Sequence, residues 1–529
     1  MPKAQKNRAS KQGYISQSQL ILDGFETPFS RKLNPNNRWV VLAHKIPWDI
    51  LVGVYQLQMN NGAYGAEGIN PRVAIGAIII KHMCNLSDRE TIQQIQENMY
   101  MQYFIGYSSF SDEEPFDPSL FVDLRKRLGI EQINLINEKI MLLSTEAKKQ
   151  PGVQDDKNAP GIKKEEPSSG NDDNPQKQAS TEVANCVTNE GQLIVDATAA
   201  PQDISYPTDL NVLNDAREKS EELIDLLYKQ RVHKKKPRTY REVARKYYLR
   251  TAQKKKKKTK EIRKAVRSQL GFLKRNINSI YKLLDAFDSI QLTALQYKYL
   301  LVIQTLYEQQ AKMYKEQTHS VDHRIVSIHQ PHVRPIVRGK TNANVEFGSK
   351  IQVSLMKGIA FLEELSWEAF NEGTRLMATV EAYKRRFGHY PAEVLADKIY
   401  CNRDNRVKLK LKGIRLKAKP LGRPKAVEAI HVSPGERNPI EGKFGQAKTA
   451  YGLNRIKARL AQTSESWIAS IILVLNLVKL TGQVPFSFIQ SVITYSARWL
   501  DFRKDLYAYR IAVPIFFTQT DYLDIISRP

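Results

Sequence analysis

Two short apolar runs, Leu193-Ile194-Val195-Asp196-Ala197-Thr198 and Glu393-Val394-Leu395-Ala396-Asp397-Lys398-Ile399-Tyr400, stand about 200 residues apart, and each carries an aspartate. Runs of this length and composition read as strands buried in a sheet. A carboxylate on a buried strand is costly unless something pairs with it, so the fold has to bring compensating charge to both places. Taken alone, Asp196 is equally well read as a residue that turns the chain at a strand end. In the second run Asp397 shares a face with Leu395 and Ile399, and its rival Asp404 lies past the strand, where a helix begins. Near the first, Asp203 and Asp209 sit in turn-rich sequence and are weaker candidates.

A third carboxylate comes from Arg437-Asn438-Pro439-Ile440-Glu441-Gly442-Lys443-Phe444-Gly445-Gln446-Ala447-Lys448. Asn followed by Pro is a helix start, so the spacing predicts Asn438 as cap and Pro439 in the first turn. Glu441 then falls where a capping box would place it, reaching back to a backbone N–H. The other reading is chemical. Seven residues advance a helix by almost two turns, so Glu441 and Lys448 share a stripe, which Arg455 extends unless Gly452 ends the helix first.

The pattern Arg-x3-Glu-x6-Lys, followed by Tyr451-Gly452-Leu453-Asn454-Arg455, resembles the third catalytic block of bacterial insertion-sequence transposases of the Asp-Asp-Glu type. Asp196-Ala197-Thr198-Ala199-Ala200-Pro201-Gln202-Asp203 resembles the first block. Asp397, with Asn402-Arg403-Asp404-Asn405-Arg406 after it, resembles the second. The chain has Pro434 where the third block usually begins with Tyr. The resemblance implies a ribonuclease-H-like α/β core, a mixed sheet flanked by helices. It also implies Asp196, Asp397 and Glu441 as ligands of two Mg²⁺ ions, or Mn²⁺ in their place. Arg437 and Lys448 would hold flanking phosphates. The partners implied are double-stranded DNA, as element ends and target, and further copies of the chain assembled on it.

The net charge of +26 is concentrated, since Lys229 to Arg275 holds 21 Lys or Arg against two Glu. Such a field selects polyanions. The cations expected to follow a DNA backbone are Lys234, Lys235, Lys236, Arg238, Arg241, Arg245, Lys246, Lys254, Lys255, Lys256, Lys257, Lys258 and Arg455, with Tyr240, Tyr247, Tyr248 and Phe272 interleaved. A charge run is more often a solvated face, and Lys254 to Lys258 admits that reading. Three scattered cysteines, Cys84, Cys186 and Cys401, match no ligand spacing and point to a reducing compartment. Met1 to Tyr14 has no apolar core, against a secretory signal. Ile468 to Leu480 is short for a bilayer and holds Asn476, which favours a buried helix. The expectation is a cytoplasmic, nucleoid-associated protein with no membrane partner.

Seven segments follow. They are a basic arm (1–44), a helical DNA-binding domain (45–145), a disordered linker (146–190) and the first catalytic strand (191–209). A basic helical insertion (210–318), the rest of the catalytic core (319–482) and a tail (483–529) complete the chain. In the helical domain, helices start at Ile46-Pro47-Trp48, Pro71, Ser87-Asp88-Arg89-Glu90 and Asp117-Pro118-Ser119. The short turn at Cys84 to Ser87 is the spacing of a helix-turn-helix pair, with a plain bundle as the alternative. Leu213, Leu223 and Leu227 give the insertion its apolar face. Ile280 to Phe287 and Leu292 to Tyr314 are expected to pair and hold the basic helices out. Four histidines from His319 to His332 lack a completing cysteine, against zinc. Val345 to Leu355, Lys357-Gly358 and Ile359 to Leu365 read as a hairpin. Two readings compete with a transposase: a hydrolytic nuclease on the same core, and an inactive DNA-binding descendant.

Overall fold

The computed structural model describes residue 29 and residues 33–57, 68–149, 189–229, 233, 235–286, 292–337, 345–418 and 434–483. Most of the expected linker, tail and basic arm, with Cys186 and Lys234, lie outside these.

The sheet is mixed. Strand β1 (Gln192–Pro201) pairs antiparallel with β3 (Val345–Met356), whose far edge carries β2 (Arg334–Val337) and then β4 (Ile359–Ser366). On its other side β1 pairs in parallel with β5 (Glu393–Leu395), and β5 with β6 (Arg415–Lys417). The β3–β4 hairpin forms as expected. Lys357 and Gly358 both take positive φ, the geometry whose twist matches two antiparallel strands. Helix α12 (Leu376–Phe387) and helix α13 (Arg403–Leu411) cover one face, where Leu193, Val195, Val394 and Tyr400 are buried. The segment Val407 to Lys412, readable as strand or helix, is therefore mostly helix.

The opposite face meets the N-terminal helices α1 (Arg38–Lys45), α2 (Trp48–Gln56), α3 (Pro71–Met83), α4 (Asp88–Glu97), α5 (Met99–Phe104), α6 (Phe121–Arg127) and α7 (Ile130–Lys149). Helix α1 falls in a stretch whose sequence carries little pattern, and Asn37 caps it. The helix expected from Ser87 to Phe104 breaks at Asn98, whose side chain takes the N–H groups of Tyr100 and Met101 and starts α5.

Helix α15 (Ala461–Gln483) joins the two halves. It packs on α3, α6, α7 and β4, and its Trp467, Ile471 and Leu475 share one core with Trp39, Phe104, Ile194 and Leu362. The Asn476 amide both accepts the Ala360 N–H (2.8 Å) and donates to the Ala360 carbonyl (2.7 Å), satisfying the outer edge of β4. By length and composition Ala461–Leu480 would cross a membrane, but here it is mostly buried in protein.

The insertion has its own core. Helices α8 (Asp209–Leu227), α10 (Thr259–Asp285) and α11 (Ala294–Glu316) bury Leu213, Leu223, Leu273, Ile280 and Ile303 together. Helix α9 (Arg241–Ala252) lies on α10, where Gln269 donates to the Ala244 carbonyl. The helix expected from Ile280 is the end of the long α10, so one helix carries both basic surface and core.

Candidate active site

The β1–β5 register matches Ile194 with Leu395, and both side chains face the shared core. Two residues further along each chain, on the same side, come Asp196 and Asp397. Parallel pairing thus brings two acids about 200 residues apart to one level of the sheet. Asp196 is not at a strand end, because β1 continues to Pro201. Asp397 departs from expectation in another way. The strand stops at Leu395, and Asp397 caps a 3-10 turn, Lys398–Tyr400, by accepting the Lys398 N–H (2.7 Å). Ile399 is consequently exposed while Leu395 is buried.

Glu441 stands on α14 (Pro434–Ala450). The helix begins at Pro434, not at Pro439, so Asn438 lies within it and caps nothing. Pro439 is inside the helix. The capping-box reading of Glu441 therefore falls. Ile440 and Ala447 bury the inner side of α14 in the core that holds Ile194 and Leu395, which turns Arg437 and Glu441 toward the aspartates.

One guanidinium gathers all three acids. Arg437 lies 3.0 Å from Asp397 Oδ1, 3.6 Å from Asp196 Oδ2 and 3.7 Å from Glu441 Oε1. Its Nε is buried without a hydrogen-bond acceptor. Burial drives the Asp196 carboxyl up to about 6, with the Ala197 N–H and Arg437 opposing and Glu372 and Asp397 adding to the rise. Glu372 gave no signal in sequence. It opens a 3-10 turn capped by Asn371, pairs with Lys350 at 2.8 Å, and its charge reaches Asp196.

The rival acids are engaged elsewhere. Asp404 pairs with Lys408 on α13 (2.7 Å). Asp209 holds Arg324 (2.7 Å) and Gln310, and Asp203 accepts from Arg455 (2.9 Å). Gly452 has φ +73° and α14 ends at Ala450, so Arg455 does not extend the Glu441–Lys448 stripe. The histidines also find separate partners, His323 with Glu368 and His332 against the Trp367 ring. Among the described residues no His, Cys, Asp and Glu group stands close enough to hold a metal ion as placed.

Residues 394–478, which hold Asp397, Arg437, Glu441 and most of α15, match the model of the transposase DDE domain. Residues 28–127 match that of a second transposase domain. Two separate parts of the chain are thus similar to transposase domains. An uncharacterized protein, ORF8 in the nfe locus of Rhizobium meliloti, is 31% identical over 135 residues, 25% of this chain and 60% of that protein, so the match spans under two thirds of the relative. No solved structure matches. The antiparallel β4–β3–β1 ribbon continued by parallel β5 and β6 is compatible with the ribonuclease-H-like core the family implies.

Most of the cations expected to contact DNA cover the insertion. Lys235, Lys236, Arg238, Arg241, Arg245, Lys246 and Lys254 to Lys258 are all exposed. Arg241 and Lys236 also pair with Asp225 (2.7 and 2.8 Å), tying α9 and the segment before it to α8, and Lys254 pairs with Glu261. The helix-turn-helix pair is a different matter. Helix α3 is buried over most of its length, and α4 exposes Arg89 among Glu90, Gln93, Gln94 and Glu97. That face offers a phosphate backbone little attraction.

Proposed function

We propose that this chain is a DNA transposase that binds the ends of its own insertion sequence and cuts and joins DNA strands at a metal site made by Asp196, Asp397 and Glu441. The observation that carries the reading is the convergence of carboxylates from β1, the turn after β5 and α14 on one cation. Three acids against one guanidinium leave two negative charges, and the donors are hard oxygens, a set that fits divalent Mg²⁺. The distances also fit a placeholder, because a guanidinium is larger than Mg²⁺, whose oxygen ligands sit at about 2.1 Å. The chemistry supplied at such a site is activation of a water or 3′-hydroxyl and stabilisation of the leaving 3′-oxygen.

The protein's own part is geometric. Arg437 preorganises the acids and, once released from them, can turn to a phosphate as a bidentate donor. Lys448 lies two turns along from Glu441, about 10 Å, a reach suited to a flanking phosphate. Added Cβ atoms at Gly442 and Gly445 would meet nothing, so the α14 surface beside Glu441 is clear for a duplex backbone. A labelled duplex ending in the element's terminal repeat, incubated with a plasmid and Mg²⁺, tests the reading. Nicked ends joined to plasmid are expected. Cuts without joining would favour the nuclease, and binding without cuts the inactive descendant.

The basic surface supplies sequence-blind binding in this account. Each phosphate contact contributes about −0.9 to the slope of log K against log salt. Replacing Lys254 to Lys258 by Gln should therefore flatten the slope by up to about 4.5 and weaken specific and random DNA alike. An unchanged slope would make the run a solvated face.

A further inference from the structure

The cations on α13 and β6 are treated by the fold in two ways. Lys408 is held by Asp404 (2.7 Å), Lys412 by Glu381 (2.9 Å) and Lys417 by Glu393 (2.8 Å). Arg403, Arg406, Lys410 and Arg415 are exposed and make no ion pair among the described residues. Three of these four share one stripe of α13, because Arg403, Arg406 and Lys410 are spaced three and four apart. The opposite side of the helix, with Asn405 and Leu409, is buried. Gly413, at φ +68°, then turns the chain back into β6. There Arg415 joins Arg406 and Lys410 around one open concavity of about 300 Å³.

The sheet aims this surface at the acids. Among the described strands β6 pairs with β5 alone, so its outer edge is open. The parallel register sets Arg415 beside Glu393 and Lys417 beside Leu395, on the face where Leu395 meets Ile194 and where Asp196 follows. Lys417, about 7 Å along the strand from Arg415, also reaches Glu436 (3.4 Å), the residue before Arg437. At the other end of the stripe, only the turn Lys398–Tyr400 and the cap Asn402 separate Arg403 from Asp397.

Unneutralised cations in a row suit successive phosphates, and each guanidinium adds a bidentate fork. Joining requires two duplexes at one set of acids, an element end and a target, and the cations of the insertion belong to other helices. We propose that Arg403, Arg406, Lys410 and Arg415 hold the phosphate backbone of the target duplex. The inference rests on the transposase reading above. Contacts of this kind carry no sequence information, which fits a duplex that is taken whatever its sequence.

The test is joining of a preloaded element end into a random duplex, followed against target concentration with the full-length protein. In the triple variant Arg406→Gln, Lys410→Gln, Arg415→Gln the half-saturating target concentration should rise at least about tenfold, with a salt slope flattened by up to about 2.7. Cleavage of the element end should stay within about twofold of the wild type, as should both readouts in Lys408→Gln, whose ammonium Asp404 already holds. The charge-keeping variant Arg406→Lys, Lys410→Arg, Arg415→Lys should restore joining. An unchanged half-saturating concentration would overturn the proposal. So would cleavage that falls in step with joining, or failure of the charge-keeping variant, because the surface would then serve the element end or the packing. A wild type that cuts without joining would remove the transposase reading instead. Random-duplex binding in Ca²⁺ would still decide the surface: a flattened salt slope in the triple variant supports a phosphate contact there, and an unchanged slope overturns it.

Discussion

Asp196→Asn yields a protein that is more stable than the wild type and catalytically dead. Burial raises the Asp196 carboxyl from 3.8 to about 6 in the folded chain. The native state therefore holds this proton more tightly than the unfolded state does. Stability declines as pH rises from about 4 through 6, and above that the full penalty of an ionised Asp196 remains, on the order of 3 kcal/mol. Asparagine removes the charge and the penalty. Thermal melts at pH 7.5 and pH 5 check this, and the advantage of the variant should shrink at the lower pH. Strand cleavage should fall by at least about a thousandfold at both, since groups acting as one catalytic unit fail together. The same titration predicts that metal binding by the wild type weakens below about pH 6, where protons compete for Asp196.

Trp467→Ala should be the most damaging substitution away from the site. The ring is 5% exposed, lies edge-on to His82 at 5.0 Å, and covers the Lys81 ammonium at 4.4 Å and the Arg125 guanidinium at 5.5 Å. Both cations also hold Asp88, each at 2.8 Å. Truncation of a buried tryptophan costs about 3–5 kcal/mol, and here it also loosens a buried ion cluster. Denaturant unfolding should show that loss across the N-terminal helices and the sheet together, because α15 belongs to both. Loss confined to one region would mean that the two halves fold separately.

That shared helix marks the limit of what the chain's pattern reveals. Caps and prolines place most starts in the N-terminal helices, as at Pro71, Ser87 and Asp117, because those signals are local. The hairpin turn at Lys357-Gly358 is equally local. An apolar run such as Ile468 to Leu480 announces burial but not its partner, so the expected boundary at residue 145 gave no hint that α3, α6 and α7 close on α15. The acids follow the same division. Asp196, Asp397 and Glu441 were found through the spacing of family blocks, and the structure brings them together. Glu372 belongs to a short turn with no period, and only the packing of that turn brings its charge within reach of Asp196. Arg437 was expected on DNA phosphates; its contacts with all three acids arise from a helix that begins five residues earlier than Pro439 suggests.

The proposed function requires the three carboxylates to act as one site. The direct measurement is Mg²⁺-dependent cleavage and joining of a labelled element end by the wild type and by Asp196→Asn, Asp397→Asn, Glu441→Gln and Asp404→Asn, beside DNA binding in Ca²⁺. Binding should persist in all five proteins. Cleavage and joining should vanish in the first three variants, with the triple substitution no worse than any single one, and survive in Asp404→Asn, whose carboxylate is held by Lys408 on another helix. Near wild-type joining by Glu441→Gln, or loss in Asp404→Asn with activity kept in Asp397→Asn, would contradict it.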